Sequence, residues 1–186
     1  MSDLVDVLSS TGLITGEILS RKEVHRLGKY HRAIHLYLFN SKNEILLQKR
    51  ASTVDQDPGV FTISVLGHVD AGEFSSATVK REVEEELGID ASQLKFDFLF
   101  SFFQEAFVSE TYIERQFSDV YVTYADLDIT LIKFDHSEVS EVKFVPFEIF
   151  LEMVSNKSSG LAPVYEDECR DLVYFLGKSV AGKVRA

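Results

Sequence analysis

The sequence lacks several features on which whole classes of protein depend. Among its 186 residues tryptophan is absent, proline occurs three times, and cysteine occurs once, at Cys169. A single cysteine excludes a disulfide within the chain and a thiolate zinc cluster. No apolar run is long enough to cross a bilayer, and the first residues do not place a charged segment before an apolar one. We therefore expect a cytoplasmic protein with no membrane partner and no signal peptide.

Positive charge is also scarce. Lys and Arg total 19 against 30 Asp and Glu, which gives a net charge of −11. Binding to a nucleic acid duplex requires clustered cations that displace counterions from the phosphates, so no such partner is expected. An acidic protein that binds phosphates must offset the repulsion between like charges. The usual means is a divalent cation held by carboxylates.

The pattern of apolar and turn-forming residues predicts strands mixed with separated helices, which indicates an α/β or α+β layered domain. Residues 31–50 read as a hairpin because turn residues separate two β-forming runs. Residues 75–87 read as a helix that is capped by Ser75 or Ser76 and ended by Gly88. The other predicted strands are two within 4–19, then 60–66, 96–107, 116–125 and 141–145, and the other predicted helices are 20–27, 146–155 and 164–177.

One face of the predicted helix over 75–87 is dense in carboxylates. Glu82 and Glu86 lie one turn apart, and Glu85 is next to both. A bare acidic run of this kind is more often a solvated helix face than a site. Around a cation the same carboxylates suit Mg²⁺ or Mn²⁺, which prefer hard oxygen ligands. Arg81, one residue earlier, can hold a carboxylate by a bidentate pair.

A longer pattern surrounds this helix. Residues 67–89 read GHVDAGEFSSATVKREVEEELGI. Without a mismatch, they resemble the Nudix box, whose signature is G-x5-E-x7-R-E-(aliphatic)-x-E-E-x-G-(aliphatic). At ordinary residue frequencies such a match arises by chance in roughly one chain in ten million of this length. The chain is identified on this resemblance as a member of the Nudix superfamily, which implies an α/β/α sandwich with a mixed sheet.

The resemblance also implies roles for the residues of the box. The reaction expected is attack of a metal-activated water on a diphosphate linkage in a small phosphorylated substrate, such as a nucleoside diphosphate derivative. A carboxylate serves as general base, and Glu85, Glu86 and Glu114 all remain candidates. The implied metal ligands for Mg²⁺ or Mn²⁺ are Glu82, Glu85, Glu86 and the Gly67 carbonyl. The residues implied to orient the loops and the helix are Glu73, Arg81 and Gly88, and Arg81 is grouped with the catalytic residues.

The segments outside the box resemble one branch of the superfamily, the isopentenyl-diphosphate isomerase-like proteins. The similar segments are 30–35, 46–51, 57–61 and 66–68. True isomerases have a cysteine where this chain has Leu66, a second glutamate where it has Gln116, and a lysine in the region of 54–55. Because these residues are missing and the box is intact, the resemblance implies an isomerase-like fold that performs hydrolysis.

Several alternatives stay open. Isopentenyl-diphosphate isomerase and a non-catalytic module that binds a phosphorylated ligand are the competing functions. His25, His31 and His68 lie near positions that bind a second metal in the isomerases, although a single histidine is more often a packing or hydrogen-bonding residue. Arg50 is a candidate for binding a substrate phosphate. We expect one domain over 1–186, with 1–30 as an N-terminal extension, in a monomer or a homodimer. The acids at 166–168 are expected only to favour a helix N-terminus.

Overall fold

The structure is a computed structural model that describes residues 3–54 and 56–183. Its strands are β1 (Leu4–Leu8), β2 (Ile14–Ser20), β3 (His31–Phe39), β4 (Glu44–Arg50), β5 (Phe61–Thr62), β6 (Val65–His68), β7 (Asp97–Ser109), β8 (Tyr112–Tyr124) and β9 (Val139–Pro146). Its α-helices are α1 (Arg21–Arg26), α2 (Ser75–Leu87), α3 (Phe147–Ser155) and α4 (Glu166–Lys183). Two short 3₁₀ helices span Ala91–Gln93 and Ile129–Leu131.

A mixed sheet forms the centre of the described part of the chain. Its strand order is β5-β4-β3-β8-β7, with β6 paired to β3 and β9 paired to β4. The apolar strand β3 runs parallel to β8, from His31 opposite Gln116 to Phe39 opposite Tyr124. Strands β1 and β2 form a separate two-stranded sheet. The mixed sheet confirms the fold class predicted from the sequence.

Helices cover both faces of this sheet, as expected for a strand such as β3 that is apolar on both sides. On one face, the stripe formed by Val79, Val83 and Leu87 of α2 packs against alternate residues of β3 and is fully buried. On the other face, Phe150 of α3 and Leu172 of α4 pack against the remaining β3 positions. The α/β/α layering follows from these two apolar clusters.

The predicted hairpin over 31–50 is confirmed at its turn, where β3 and β4 pair antiparallel, but the pairing does not continue along the strands. Strands β3 and β4 share one paired position, Phe39 opposite Ile45, and then diverge. Ser64 stands between them, because its Oγ accepts from the Leu38 amide at 2.8 Å and donates to the Leu46 carbonyl at 2.7 Å. The same residue interrupts the strand predicted over 60–66, which therefore forms β5 against β4 and β6 against β3.

Helix α2 has the predicted bounds but not the predicted cap. Its N-cap residue is Phe74, which has no side-chain cap hydrogen bond, while the Ser75 hydroxyl bonds to the Tyr121 hydroxyl at 2.9 Å. At the other end Gly88 adopts φ 61°, the left-handed conformation expected of a C-terminal glycine. A Cβ there would also overlap the Lys133 carbonyl oxygen, so both conformation and space require glycine.

Within the described residues, no helix combines the length and the apolar composition needed to cross a bilayer.

Candidate active site

The ends of several elements surround a cavity of about 530 Å³. Helix α2 lines it with Glu82 and Glu86, strand β8 with Glu114 and Gln116, and β6 with His68. Strand β3 and helix α4 contribute further polar residues. Residues that are far apart in sequence therefore face one space. They form two groups of metal-ligand type and a third group built around α4.

The first group consists of the carboxylates of α2. Glu82 and Glu86 are 3% and 6% exposed, and Glu86 Oε2 accepts a hydrogen bond from Gln48 Nε2 at 2.8 Å. Burial raises the pKa of Glu82 to about 7, and burial together with the charge of Glu82 raises the pKa of Glu86. Glu85 is different, because its side chain is 36% exposed. Two of the three predicted ligands thus line the cavity, whereas the third is partly exposed to solvent.

Arg81 joins the carboxylates of the box. Its Nη1 donates to Glu82 at 2.8 Å and to Glu85 at 2.9 Å, and its Nη2 donates to Glu73 at 3.1 Å. Burial alone would lower the pKa of Arg81, but the bonds to Glu73 and the neighbouring carboxylates raise it. Glu73 also accepts from the Thr78 hydroxyl at 2.8 Å. The guanidinium therefore fixes the loop before α2 to the helix.

Gly67 lies on β6 directly against α2. A Cβ built on Gly67 would stand 2.5 Å from Cδ of Glu82, so any side chain there would displace that carboxylate. The glycine is paired with Ile34 in the sheet, which fixes its distance from the helix. The close approach explains why the pattern requires glycine at this position.

The second group consists of His25, His31 and His68, which the sequence could only suggest. They come from α1, β3 and β6, and their ligand nitrogens all lie within 4.8 Å of one another. Glu114 of β8 joins them, with Oε1 at 3.6 Å from His31 Nε2 and 4.0 Å from His25 Nδ1. Tyr112 stacks on the His25 ring at a centroid distance of 4.2 Å.

The donors of this group fit a divalent metal ion. Burial lowers the pKa of His25 and of His31 to about 4, and lowers that of His68 as well, which leaves the neutral imidazoles that metals bind. Burial raises the pKa of Glu114 to about 7. Three buried atoms of this group have no hydrogen-bond partner among the described residues: His25 Nδ1, His31 Nε2 and Glu114 Oε1. Imidazoles with one carboxylate suit Zn²⁺ or Mn²⁺ better than Mg²⁺.

Two arginines also line the cavity. Arg50, a predicted phosphate ligand, is anchored by its Nε, which donates to the Gln56 carbonyl at 2.7 Å. Arg21, which no sequence pattern singled out, is held by an ion pair with Asp70 at 3.1 Å. Its Nε is buried and has no hydrogen-bond partner among the described residues. The only signal in the sequence was its place at the start of a short helix that also carries His25.

In the third group, the acids at 166–168 all lie in the first turn of α4, but the prediction that they only favour a helix N-terminus is wrong for Glu168. Glu166 and Asp167 are exposed at the start of α4 as expected, but Glu168 is 1% exposed and lines the cavity. Its Oε1 accepts from His35 Nδ1 at 2.8 Å and from the Tyr37 hydroxyl at 2.9 Å. Glu168 shares a helix face with the buried Leu172 four residues later, which was the available sequence signal.

The residues at the isomerase positions also line the cavity. Leu66 occupies the position of the isomerase cysteine, and Gln116 that of the second glutamate. The Gln116 Nε2 donates to the Ser118 hydroxyl at 2.9 Å and lies 3.4 Å from His35 Nε2.

Comparison with known proteins places the chain in a family. Residues 29–167 match the model of the NUDIX domain. Nudix hydrolase 3 of Arabidopsis thaliana is 38% identical over 162 residues, which is 85% of this chain but only 21% of that protein. The chain thus spans about a fifth of the length of this relative. Isopentenyl-diphosphate Delta-isomerase 2 of Photorhabdus laumondii is 32% identical over 136 residues, 73% of each protein.

Solved structures agree on the fold. DR0079 from Deinococcus radiodurans superposes with a TM-score of 0.71 at 22% identity, covering 90% of this chain and 97% of that one. The NUDIX domain of Shewanella oneidensis NrtR, determined with ADP ribose, has a TM-score of 0.55 at 16% identity, covering 80% of this chain and 87% of that one. On the matched domain and the sequence relatives together, the chain belongs to the Nudix family.

Proposed function

We propose that the chain is a metal-dependent hydrolase that cleaves a diphosphate linkage in a small phosphorylated metabolite, such as a nucleoside diphosphate derivative. One observation carries the proposal. A single cavity is lined by the buried box carboxylates Glu82 and Glu86, by His68 with Glu114, and by Arg21 and Arg50. His25 and His31 lie beside His68, with their ligand nitrogens within 4.8 Å of it. The groups needed to hold cations and phosphates therefore converge on a space large enough for a small substrate.

Two sets of residues would hold metal ions. The set expected for Mg²⁺ or Mn²⁺ consists of Glu82, Glu85, Glu86 and the Gly67 carbonyl. The second set consists of His25, His31, His68 and Glu114. A bound divalent ion neutralises phosphate charge and lowers the pKa of a coordinated water. Gln48 keeps Glu86 oriented by its hydrogen bond, and Arg81 does the same for Glu82 and Glu85.

The remaining residues bind the substrate and receive the proton. Arg21 and Arg50 are the cations placed to contact phosphate oxygens, with the buried Nε of Arg21 as an unpaired donor. The proton of the attacking water passes to a carboxylate, and Glu85, Glu86 and Glu114 remain the candidates. Glu85 is the weakest of the three by geometry, because it is exposed and already engaged by Arg81.

The N-terminal extension belongs to this site in our proposal. Residues 1–30 supply Arg21 and His25 through α1, so we treat 1–186 as one functional domain. A monomer or a homodimer would both accommodate the cavity, which is lined by residues of one chain.

Isopentenyl-diphosphate isomerase is the second candidate. The histidine group with Glu114 and the 32% identical relative favour it. Leu66 and Gln116 oppose it, because a leucine cannot exchange protons and an amide is neither an acid nor a base near neutral pH. A module that only binds ligand is disfavoured by the intact set of box carboxylates.

The test is cleavage of a diphosphate linkage by the purified chain, with the phosphorylated products separated and identified. The substrates are nucleoside di- and triphosphates, ADP-ribose, dinucleotides and isopentenyl diphosphate, each with Mg²⁺, Mn²⁺ or Zn²⁺. We expect metal-dependent cleavage of at least one substrate, reduced more than about a hundredfold in Glu86→Gln and unaffected in Glu148→Gln, an exposed residue of α3. Absence of cleavage with every metal would overturn the proposal.

A further inference from the structure

The cavity contains a buried carboxylate that the proposed hydrolysis does not use. Glu168 is 1% exposed and still lines the cavity. Within the described residues, no lysine or arginine lies within ion-pair distance of it, and the basic side chain within that distance is the His35 imidazole. Burial of a carboxylate without a cation is unfavourable unless hydrogen bonds compensate it. The compensation for burying Glu168 must therefore come from its hydrogen bonds.

The hydrogen bonds of Glu168 involve only one of its two carboxylate oxygens among the described residues. Both of its described bonds, from His35 Nδ1 at 2.8 Å and from the Tyr37 hydroxyl at 2.9 Å, end on Oε1. An ionised carboxylate offers about four acceptor positions over its two oxygens. The acceptor positions of Oε2 therefore remain available to a ligand in the cavity. His35 and Tyr37 are buried residues of β3, so their hydrogen bonds hold the Glu168 carboxylate of α4 against that strand.

A second acceptor lies on the same cavity. Gln104 of β7 lines it, and its Oε1 is buried without a hydrogen-bond partner among the described residues. Gln104 is paired with Gln116 across the sheet. Tyr165 also lines the cavity, and burial, followed by the charges of Glu114 and Glu168, raises its pKa. Polar acceptors therefore lie among the apolar residues of the cavity lining, such as Ala106 and Val164.

We propose that Glu168, held by His35 and Tyr37, forms with Gln104 a specificity subsite that accepts hydrogen bonds from hydroxyl or amino groups on the organic part of the diphosphate substrate. The inference rests on the proposed hydrolysis and names its substrate class. A prenyl chain has no hydrogen-bond donor, so it would leave both buried acceptors unpaired. Sites with buried polar groups reject such ligands strongly, whereas apolar pockets discriminate weakly.

The experiment uses the full chain and matched substrates. The probes are alkyl diphosphates of increasing length, each with its terminal hydroxyl and amino derivative, and methyl diphosphate as the minimal substrate. We expect kcat/KM of the best polar member to exceed that of its alkyl partner by about a hundredfold or more. Glu168→Gln should reduce this preference at least about tenfold, and Tyr37→Phe should reduce it less. Glu166→Gln, an exposed change two residues away, is the matched control and should keep the preference.

Each result decides the inference. A purely structural defect would lower the rate on methyl diphosphate as much as on the polar substrates, and that outcome in Glu168→Gln would overturn the subsite. Equal kcat/KM for hydroxylated and alkyl partners in the wild type would overturn it too. If none of these alkyl diphosphates or derivatives is cleaved, the proposed hydrolysis is judged on the nucleotide panel described above. Calorimetric binding of the same pairs then tests the subsite, which requires tighter binding of the polar partner and loss of that difference in Glu168→Gln.

Discussion

Gly67 and Glu82 are in direct contact across the interface between β6 and α2, where a Cβ on the glycine would stand 2.5 Å from the carboxylate carbon. Gly67→Ala should therefore push Glu82 out of the cavity. We expect a loss of kcat/KM of about a hundredfold and a decrease of about 1–3 kcal/mol in the free energy of unfolding. Steady-state kinetics and urea unfolding measure the two effects.

Gly160→Ala is the matched control for this change. Gly160 is exposed, and the nearest atom to a Cβ there is 4.0 Å away. Its activity should equal that of the wild type. Wild-type kinetics in Gly67→Ala would contradict the claim that this glycine makes room for a functional carboxylate.

The general base can be identified by three separate substitutions. Glu85→Gln, Glu86→Gln and Glu114→Gln each remove one candidate and keep its size. Loss of a general base lowers kcat about 10²–10⁴-fold and removes the fall in rate at acidic pH, because that fall reports protonation of the base. We expect this behaviour for Glu86 or Glu114. Loss of the acidic limb in Glu85→Gln alone would show that the exposed carboxylate is the base.

The metal content separates the two proposed sites. We expect one ion held by the box carboxylates and one held by the histidine group, measured by elemental analysis after dialysis. Glu82→Gln should remove the first ion only, and His31→Gln the second only. Because ions that bind only the folded state stabilise it, a chelator should lower the melting temperature of the wild type. Retention of both ions in His31→Gln would contradict the histidine site.

Arg81 should be irreplaceable even by lysine. It bridges Glu73, Glu82 and Glu85 with a planar fork of donors, which a single ammonium cannot reproduce. We expect Arg81→Lys to lose about tenfold to a hundredfold in kcat/KM and about 1–3 kcal/mol of stability. Arg170→Lys is the control, because that arginine is exposed and pairs with one carboxylate, Asp167. Unchanged kcat/KM and unchanged stability in Arg81→Lys would show that the hydrogen bonds from Arg81 to the three carboxylates are dispensable.

Much of the fold was predictable where the signal is local. The bounds of α2 were predicted to the residue, because a four-residue apolar stripe and a left-handed Gly88 mark a helix without reference to the rest of the chain. The separation of β3 from β4 was not predictable. It depends on Ser64, whose hydroxyl replaces a backbone pair between two strands that are distant from it in sequence.

The residues of the site likewise differ in whether a local sequence pattern could predict them. The box residues could be named because their spacing is fixed within one loop and one helix. The meeting of His25, His31 and His68 depends on three different elements, and no local pattern reports their distance. Glu168 was hidden for another reason, since two exposed acids precede it and resemble a charged helix start.

Phosphorus NMR in ¹⁸O-labelled water tests the central claim most directly. The reaction mixture contains the purified chain, a divalent metal and the best substrate of the panel, with Glu82→Gln in parallel. The account predicts metal-dependent cleavage that places ¹⁸O in one phosphate product, and loss of this product in the variant. Conversion of isopentenyl diphosphate to its isomer without ¹⁸O incorporation, or no turnover with any metal, would contradict it.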